Sequence, residues 1–364
     1  MDNLALIDHI YEAAFVPEHW ENVCEQLSAQ VNSFSASLIT IAGDQSYRWI
    51  CSANAREGME QFSTSPLRFQ NVRPQRHFER APSSFMRDID LMSEEELASD
   101  PIYNEFLRPR GLGWTVGDMF QEPSGHMVIF DIIRTTAAGP FETHDVDRLN
   151  ALRPHLARAA TMSSRLAFER INAAVEALEL TGLPAAIIGL GGKVLAANSL
   201  LQDFDPQITI TAYDRLRFDY SGAGDKFERA LLQQPVDPSH GCSFAIPQSD
   251  DSPPAVVHLV PVLGNARDIF VHAQFVLVVT PVDRSRVPTA ETIQGLFDLS
   301  PAEARIARSL SMGSTVTQTA RAFSVSAETV RSHVKSILGK SGMTRQTDFV
   351  AAVASIRPVG KPQQ

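Results

Sequence analysis

Cysteine is scarce in this 364-residue chain: Cys24, Cys51 and Cys242 are the only three, too few and too scattered for a disulfide framework. Long apolar runs are absent too. The longest, such as Val276–Val279, suit buried strands, and no stretch of 18 apolar residues exists to span a membrane. The N-terminal MDNLALIDHIYEAAF carries Asp2, Asp8 and Glu12 where a signal peptide has basic residues. A cytoplasmic protein with no membrane partner is expected. The ten histidines are dispersed, and the one close pairing, His240 with Cys242, makes no metal site. Neither a G-x-S-x-G elbow nor a His-Glu-x-x-His helix occurs. Gly189-Leu190-Gly191-Gly192-Lys193 has Val194 where a phosphate loop needs Ser or Thr, and the segment after Gly111-Leu112-Gly113 continues as a strand. The expectation is therefore no enzyme, no cofactor and no metal.

What the chain does have is a globular composition, 44% hydrophobic and 20% charged, at a length suited to two or three domains. Its charge is uneven. From Ala290 onward nine Lys/Arg face five Asp/Glu, a net of +4; the preceding residues hold 23 bases and 37 acids, or −14. An acidic body carrying a basic tail fits a nucleic-acid-binding module behind domains with another task.

Leu4, Ile7 and Ile10, and then Trp20, Val23 and Leu27 after Pro17, predict two helices. Ser37–Ala42 and Tyr47–Ser52 read as strands around a Gly43-Asp44 turn. Residues 56–90 read as helical pieces and loops, and Ser93-Glu94-Glu95-Glu96 as a capping box whose helix ends at Pro101. Trp114–Phe120 and Met127–Arg134 are further strands around Glu122–Gly125. From Glu142 to Leu180 one helical pattern runs through Pro154, which is expected to kink it. That helix is either a signalling connector and dimer seam or an amphipathic helix packed on its own domain.

A second β-rich region follows, with a hairpin at Ala185–Ala197, a helix near Ser199–Phe204 and short strands at Ile208–Tyr213 and Leu216–Tyr220. A helix at Asp225–Gln233 and strands at Cys242–Pro247, Val256–Leu263 and Phe270–Pro281 complete it. This arrangement resembles a PAS domain, and the first region is similar to a GAF or PAS-like sensor. Asp283–Ala290 reads as a linker. The fold class expected is α+β: two GAF/PAS-like antiparallel-sheet sensory domains (1–165 and 166–285) joined by a long helix, then an all-α four-helix domain (290–357).

The C-terminal segment is the most explicit. Ser300-Pro301-Ala302-Glu303 is a capping box with Pro at the first helical position, and its helix stops at Gly313. Thr315 to Gln318 opens a second helix through Phe323, Ser324-Val325 makes a tight turn, and Ser326 caps a third helix to about Lys340. This is a helix-turn-helix pattern. Its third helix carries Arg331, Ser332 and Lys335 on one face, with Val330, Val334, Ile337 and Leu338 opposite.

From Leu299 to Ala352 the chain resembles the LuxR-type (GerE/FixJ-like) DNA-binding domain. The matching landmarks are Leu299-Ser300, Glu303, Gly313, Ala320, Ser326, Thr329-Val330, His333, Lys335, Ile337, Lys340 and Arg345, in order and without a gap. It departs from the family at Gln318-Thr319-Ala320, where Glu-Ile-Ala is usual, and at Lys340-Ser341, where Lys-Leu is usual. Gly339 weakens the last turn of the third helix by roughly 1 kcal/mol against Ala. The resemblance implies that Arg331, Ser332 and Lys335 meet DNA, an arginine reading guanine and a lysine neutralising phosphate. Thr315, Gln318, Ser326 and Thr329, at helix starts, are the candidates for phosphate contacts. His333 reads as structural. In the family the fourth helix, here with Phe349, Val350, Val353 and Ile356 at helical spacing, pairs two domains; in this chain it also suits an intramolecular core.

Tyr103–Leu112 is similar to a stretch common in the N-terminal domains of LuxR-related regulators. The aromatic/Asp pattern of acyl-homoserine-lactone receptors is missing, which leaves a quorum-sensing receptor as the lesser alternative, beside a protein-interaction scaffold with a masked DNA-binding module. Trp49, Trp114 and Phe130, on expected strands, are candidates for lining a ligand pocket or for plain core. The expected partners are a double-stranded DNA operator, a second copy of the chain, the transcription machinery and a small-molecule effector of unknown identity.

Overall fold

The computed structural model describes residues 3–42, 47–80, 83–123, 125–232, 241–249, 252–262, 270, 273–282 and 287–356. The chain is α+β, with antiparallel sheets followed by a helical C-terminal region. Helices α1 (Asn3–Phe15) and α2 (Trp20–Gln30) come first, separated where Pro17 opens a short 3-10 turn. Strands β1 (Ser35–Ile41) and β2 (Tyr47–Cys51) pair antiparallel; the Gly43-Asp44 turn expected between them lies outside the described residues. Helices α3 (Arg56–Thr64) and α4 (Arg73–Arg80) follow, then a two-residue strand β3 (Met86–Arg87), the one-turn α5 (Asp88–Leu91) and α6 (Glu94–Ser99).

The capping box before α6 forms as expected: Ser93 Oγ accepts from the Glu96 amide at 3.2 Å, and Glu96 accepts from the Ser93 amide at 2.9 Å. That helix ends ahead of Pro101 as expected, because the residue before a proline is pushed out of helical geometry. Asp100 is extended and accepts from the Ile102 amide at 2.8 Å, and Pro101 then stands at the start of a π-helical turn, Ile102–Leu107.

The long strands β4 (Leu112–Gln121) and β5 (Met127–Thr135) complete a five-stranded sheet in the order β2-β1-β5-β4-β3. Along β5 the side chains alternate strictly. Val128, Phe130 and Ile132 enter a core with Trp20, Leu27 and Leu149, while Ile129, Asp131 and Ile133 face the other side.

Helix α7 (Thr143–Leu180) runs 38 residues and is helical through Pro154. It is no free connector. Leu149, Leu152, Leu156, Ala159 and Ala160 are buried with α1 and α2, and Trp20 Nε1 donates to Ser163 Oγ at 3.2 Å. The boundary expected at 165/166 falls inside this uninterrupted helix, which has buried residues on both sides of it, Ser164 and Ala167.

Beyond α7, β6 (Ala185–Gly189) and β7 (Val194–Ala197) pair, followed by α8 (Ser199–Gln202). Strands β8 (Ile208–Ile210) and β9 (Leu216–Phe218) form a separate two-stranded ribbon instead of joining the sheet. Helix α9 (Ser221–Leu232) precedes β10 (Cys242–Ile246), β11 (Ala255–Pro261) and β12 (Ala273–Pro281). The second sheet has the order β7-β6-β12-β11-β10. Counted within each sheet, both read 2-1-5-4-3. One face of the second sheet packs on α8, α9 and the ribbon through Phe275, Leu277 and Val279; the other contributes Ile187 and Ala273 to the core of the first. Trp20 and Phe270 meet across this boundary at 6.1 Å between ring centroids, and Arg48 donates to the Ala273 carbonyl at 2.9 Å.

The C-terminal region has one helix more than expected. Helix α10 (Ala290–Phe297), capped by Thr289, begins at the last residue of the expected linker and runs on toward Ser300; α11 (Pro301–Ser311), α12 (Val316–Ala322), α13 (Ala327–Ser341) and α14 (Gln346–Ser355) follow. Phe349 and Val353 of α14 lie in this unit's own core, Phe349 with its ring centroid 5.1 Å from that of Phe297. They are unavailable as a seam between two copies. Among the described residues, no helix is long and apolar enough to cross a membrane.

Candidate nucleic-acid interface and an internal cavity

The helix-turn-helix is built from local signals that the structure realises in full. Ser300 Oγ accepts from the Glu303 amide and Glu303 returns to the Ser300 amide at 2.7 Å. Thr315 and Gln318 repeat the pattern on α12, with Gln318 Oε1 2.8 Å from the Thr315 amide. Ser324 takes φ +56° in the turn, and Ser326 Oγ accepts from the Thr329 amide at 3.0 Å to start α13.

Tertiary contacts then lock α13 against α11. Glu303 Oε2 takes Lys340 Nζ at 2.8 Å and Glu303 Oε1 takes Ser336 Oγ at 2.6 Å. These donors, Lys340 foremost, hold the Glu303 carboxyl down at about 2. Arg305 stacks over Phe323 at 4.8 Å, tying the end of α12 to α11. The departure at Thr319 is compensated: this fully buried residue shares a hydroxyl contact of 3.1 Å with Ser309, where the usual isoleucine would have no polar atom.

Thr315, Gln318, Ser326, Thr329, Arg331, Ser332 and Lys335 are all exposed. Arg331, Ser332 and Lys335 share the outer face of α13, whose inner face buries Val330 and Ile337. Thr315, Gln318 and Ser326 are already engaged in helix caps, the Thr329 hydroxyl lies 2.8 Å from that of Ser326, and Arg331 is held by Glu328 at 2.9 Å one turn earlier.

The three aromatic pocket candidates lie elsewhere than expected. Phe130 is fully buried against Trp20 on the helix side of the first sheet, and Trp114 packs into the same core. Trp49 packs with Ile39, Cys51 and Met59 at the sheet margin. None of them lines the cavity found on the other side of this sheet. It measures about 530 Å³ and lies between the opposite face of that sheet and the helices from α3 to the π-helical turn. Its apolar wall includes Phe62, Leu91, Ile102 and Ile133.

Its polar residues were missed by sequence reasoning. Asp88 Oδ2 accepts from Tyr103 Oη and from the Thr115 amide, both at 2.8 Å, while burial pushes its carboxyl upward. Arg73 donates to Thr115 Oγ1 at 2.5 Å. Asp131 faces the same space, its carboxyl raised by burial and restrained by Arg73. At one end Asp118 meets Arg153 of α7 at 2.9 Å, and burial raises its carboxyl to about 6. His77, 3.8 Å from Asp118, is itself pushed down by burial. The available signal was an acid in the middle of an apolar strand, Asp131 within Met127–Thr135.

No family model matches the sequence, and no curated protein does. Among solved structures, likenesses lie with transcription factors of the LuxR family. One is the N-acylhomoserine lactone dependent LuxR family transcription factor CepR2 from Burkholderia cenocepacia, at 14% identity over 43% of this chain and 92% of that one, with a TM-score of 0.31. Another is SdiA from Escherichia coli, at 12% identity over 91% and 89%, TM-score 0.26. A third is a phage VqmA in complex with DPO, at 13% identity over 51% and 87%, TM-score 0.25. TM-scores this low do not mark a shared fold over the aligned lengths, and identities this low assign no function.

Proposed function

We propose that this chain is a DNA-binding transcriptional regulator in which an effector cavity ahead of α7 controls a LuxR-type helix-turn-helix. The observation that carries this reading is α13: an exposed Arg331-Ser332-Lys335 face on a helix whose other face is pinned to α11 through Glu303. A rigid, basic, outward helix face behind a tight turn fits the major groove. The shared 2-1-5-4-3 order of the two sheets supports GAF/PAS-like sensory units in front, spanning 1–165 and 166–285, with 290–357 as the DNA-binding domain. Asp118, which lines the cavity and pairs with Arg153, supplies a route from cavity to long helix. An effector acts by binding one arrangement of the units better than another. Binding as a homodimer to a two-fold operator, with contact to the transcription machinery, belongs to the same reading.

The test is selection of operator sequences from random duplexes with the full chain, then titration at several salt concentrations. Arg331→Ala lowers affinity by about 1–3 kcal/mol and relaxes preference at one operator position. Lys335→Ala weakens binding evenly across sequences and flattens the salt dependence by about one released counterion. Unchanged affinity in both variants refutes the assigned face.

A further inference from the structure

The polar wall of the cavity divides into groups whose bonding is complete and groups whose bonding is open. Asp88, Tyr103 and Thr115 close on one another, and Asp118 is paired with Arg153. Asp131 differs. It stands between Ile129 and Ile133 on the cavity face of β5, with a fifth of its side chain exposed. Its ion-pair partner among the described residues is Arg73, whose Nη1 is 3.6 Å from Oδ1, beyond hydrogen-bond reach, and Tyr47 on the same wall is near enough to feel its charge.

Arg73 gives Nη1 to Thr115 and Nε to Asn71 at 3.1 Å, and its Nη2 has no acceptor among the described residues. Arg68, also on the cavity wall, lies 4.4 Å over the Phe69 ring and 5.8 Å from that of Tyr47. No carboxylate or carbonyl of the described residues receives its guanidinium. The cavity thus holds a carboxylate that receives no hydrogen bond among the described residues beside two guanidinium groups with donors still open, within largely apolar walls.

These charges select among head groups. A ligand with only a carboxylate would satisfy the arginines and set a like charge against Asp131. A ligand with only an ammonium would satisfy Asp131 and face two guanidinium groups. Each leaves a wall charge facing a like charge with its hydrogen bonds unmade, the unfavourable case. A head group with both charges meets all three residues at once by charge-assisted hydrogen bonds.

We propose that the cavity binds a zwitterionic small molecule, an ammonium on Asp131 and a carboxylate between Arg68 and Arg73, with an apolar body toward Phe62, Ile102 and Leu107. The inference rests on the proposed regulator only for what such binding would control. About 530 Å³ leaves room for a body the size of a large amino-acid side chain.

Four probes share one apolar body and differ in the head: L-phenylalanine, 3-phenylpropanoate, 2-phenylethylamine and 3-phenylpropanamide. Calorimetric titration of the full chain is expected to show L-phenylalanine binding at least about tenfold tighter than the other three. Asp131→Asn and Arg68→Gln each lower that affinity about tenfold, and unliganded melting temperatures close to the parent's confirm that both variants fold. Equal binding of the amide or of either singly charged probe overturns the zwitterionic head. So does equal affinity for L-phenylalanine in both variants, or the absence of binding by all four up to millimolar concentration. Operator binding is measured without any probe, so failure here is distinguishable from failure of the DNA-binding reading.

Discussion

Lys340 Nζ rests 2.8 Å from Glu303 Oε2, joining the last turn of α13 to the first turn of α11 across 37 positions of sequence. The carboxylate that caps one helix thereby also fixes the azimuth of the helix bearing Arg331 and Lys335. With its folded-state carboxyl lowered from 4.5 to about 2, Glu303 contributes stability that is present above about pH 4.5 and is lost as pH falls toward 2. Glu303→Gln is expected to cost about 1–3 kcal/mol at neutral pH. The difference from the parent narrows in denaturant melts at pH 3, and a constant difference from pH 7 to pH 3 contradicts the assignment.

The Ser309–Thr319 contact predicts a non-additive pair. Ser309→Ala leaves the buried Thr319 hydroxyl without its partner and costs about 1 kcal/mol. Adding Thr319→Val removes the orphaned hydroxyl and recovers most of that loss. A double-mutant cycle on thermal or denaturant unfolding reads the coupling, and strictly additive losses count against it.

Helix α14 separates folding from assembly. Phe349→Glu places a charge in the core beside Phe297 and is expected to unfold the C-terminal helices, a loss of more than 3 kcal/mol. Ala354, on the exposed side, tolerates Glu with an unchanged melt. If two copies pair through this face on DNA, Ala354→Glu lowers operator affinity about tenfold in gel-shift titrations; full affinity removes α14 as the seam.

Asp118 works in the opposite sense to Glu303. Its carboxyl is raised from 3.8 to about 6, so its contribution to stability declines as pH rises from about 4 through 6. Between pH 5 and 7.5 the parent is expected to lose about 1–2 kcal/mol more than Asp118→Asn. Equal pH slopes in the two proteins place the Asp118 carboxyl in its ordinary range and sink the prediction.

Much of the C-terminal unit was legible in advance because its signals are local. Capping boxes at Ser300–Glu303 and Thr315–Gln318, the cap at Ser326 and the stop at Gly313 each act within four residues, and all four are observed. Helix α10 escaped because its cap, Thr289, sits in a segment rich in Pro, Ser and Arg that reads as linker, and the eight residues after it are too few for a clear helical period. For the fourth helix, which suited either a seam or an intramolecular core, the structure puts Phe349 and Val353 in the core: periodicity names an apolar face without saying which neighbour covers it.

The sequence by itself determined most of the order of helices and strands and the outward Arg331-Ser332-Lys335 face, since capping and alternation depend on adjacent residues. Tertiary structure alone decided where the cavity opened and what lined it. Arg68, Arg73, Asp88, Asp131 and Tyr103 come from separate elements, and which face of the first sheet received the helices α1, α2 and α7 put Phe130 in the core and Asp131 in the cavity. Neighbours on one strand point to opposite sides, so one residue of register separates a packed ring from an open carboxylate, and only the packed sheet settles which is which.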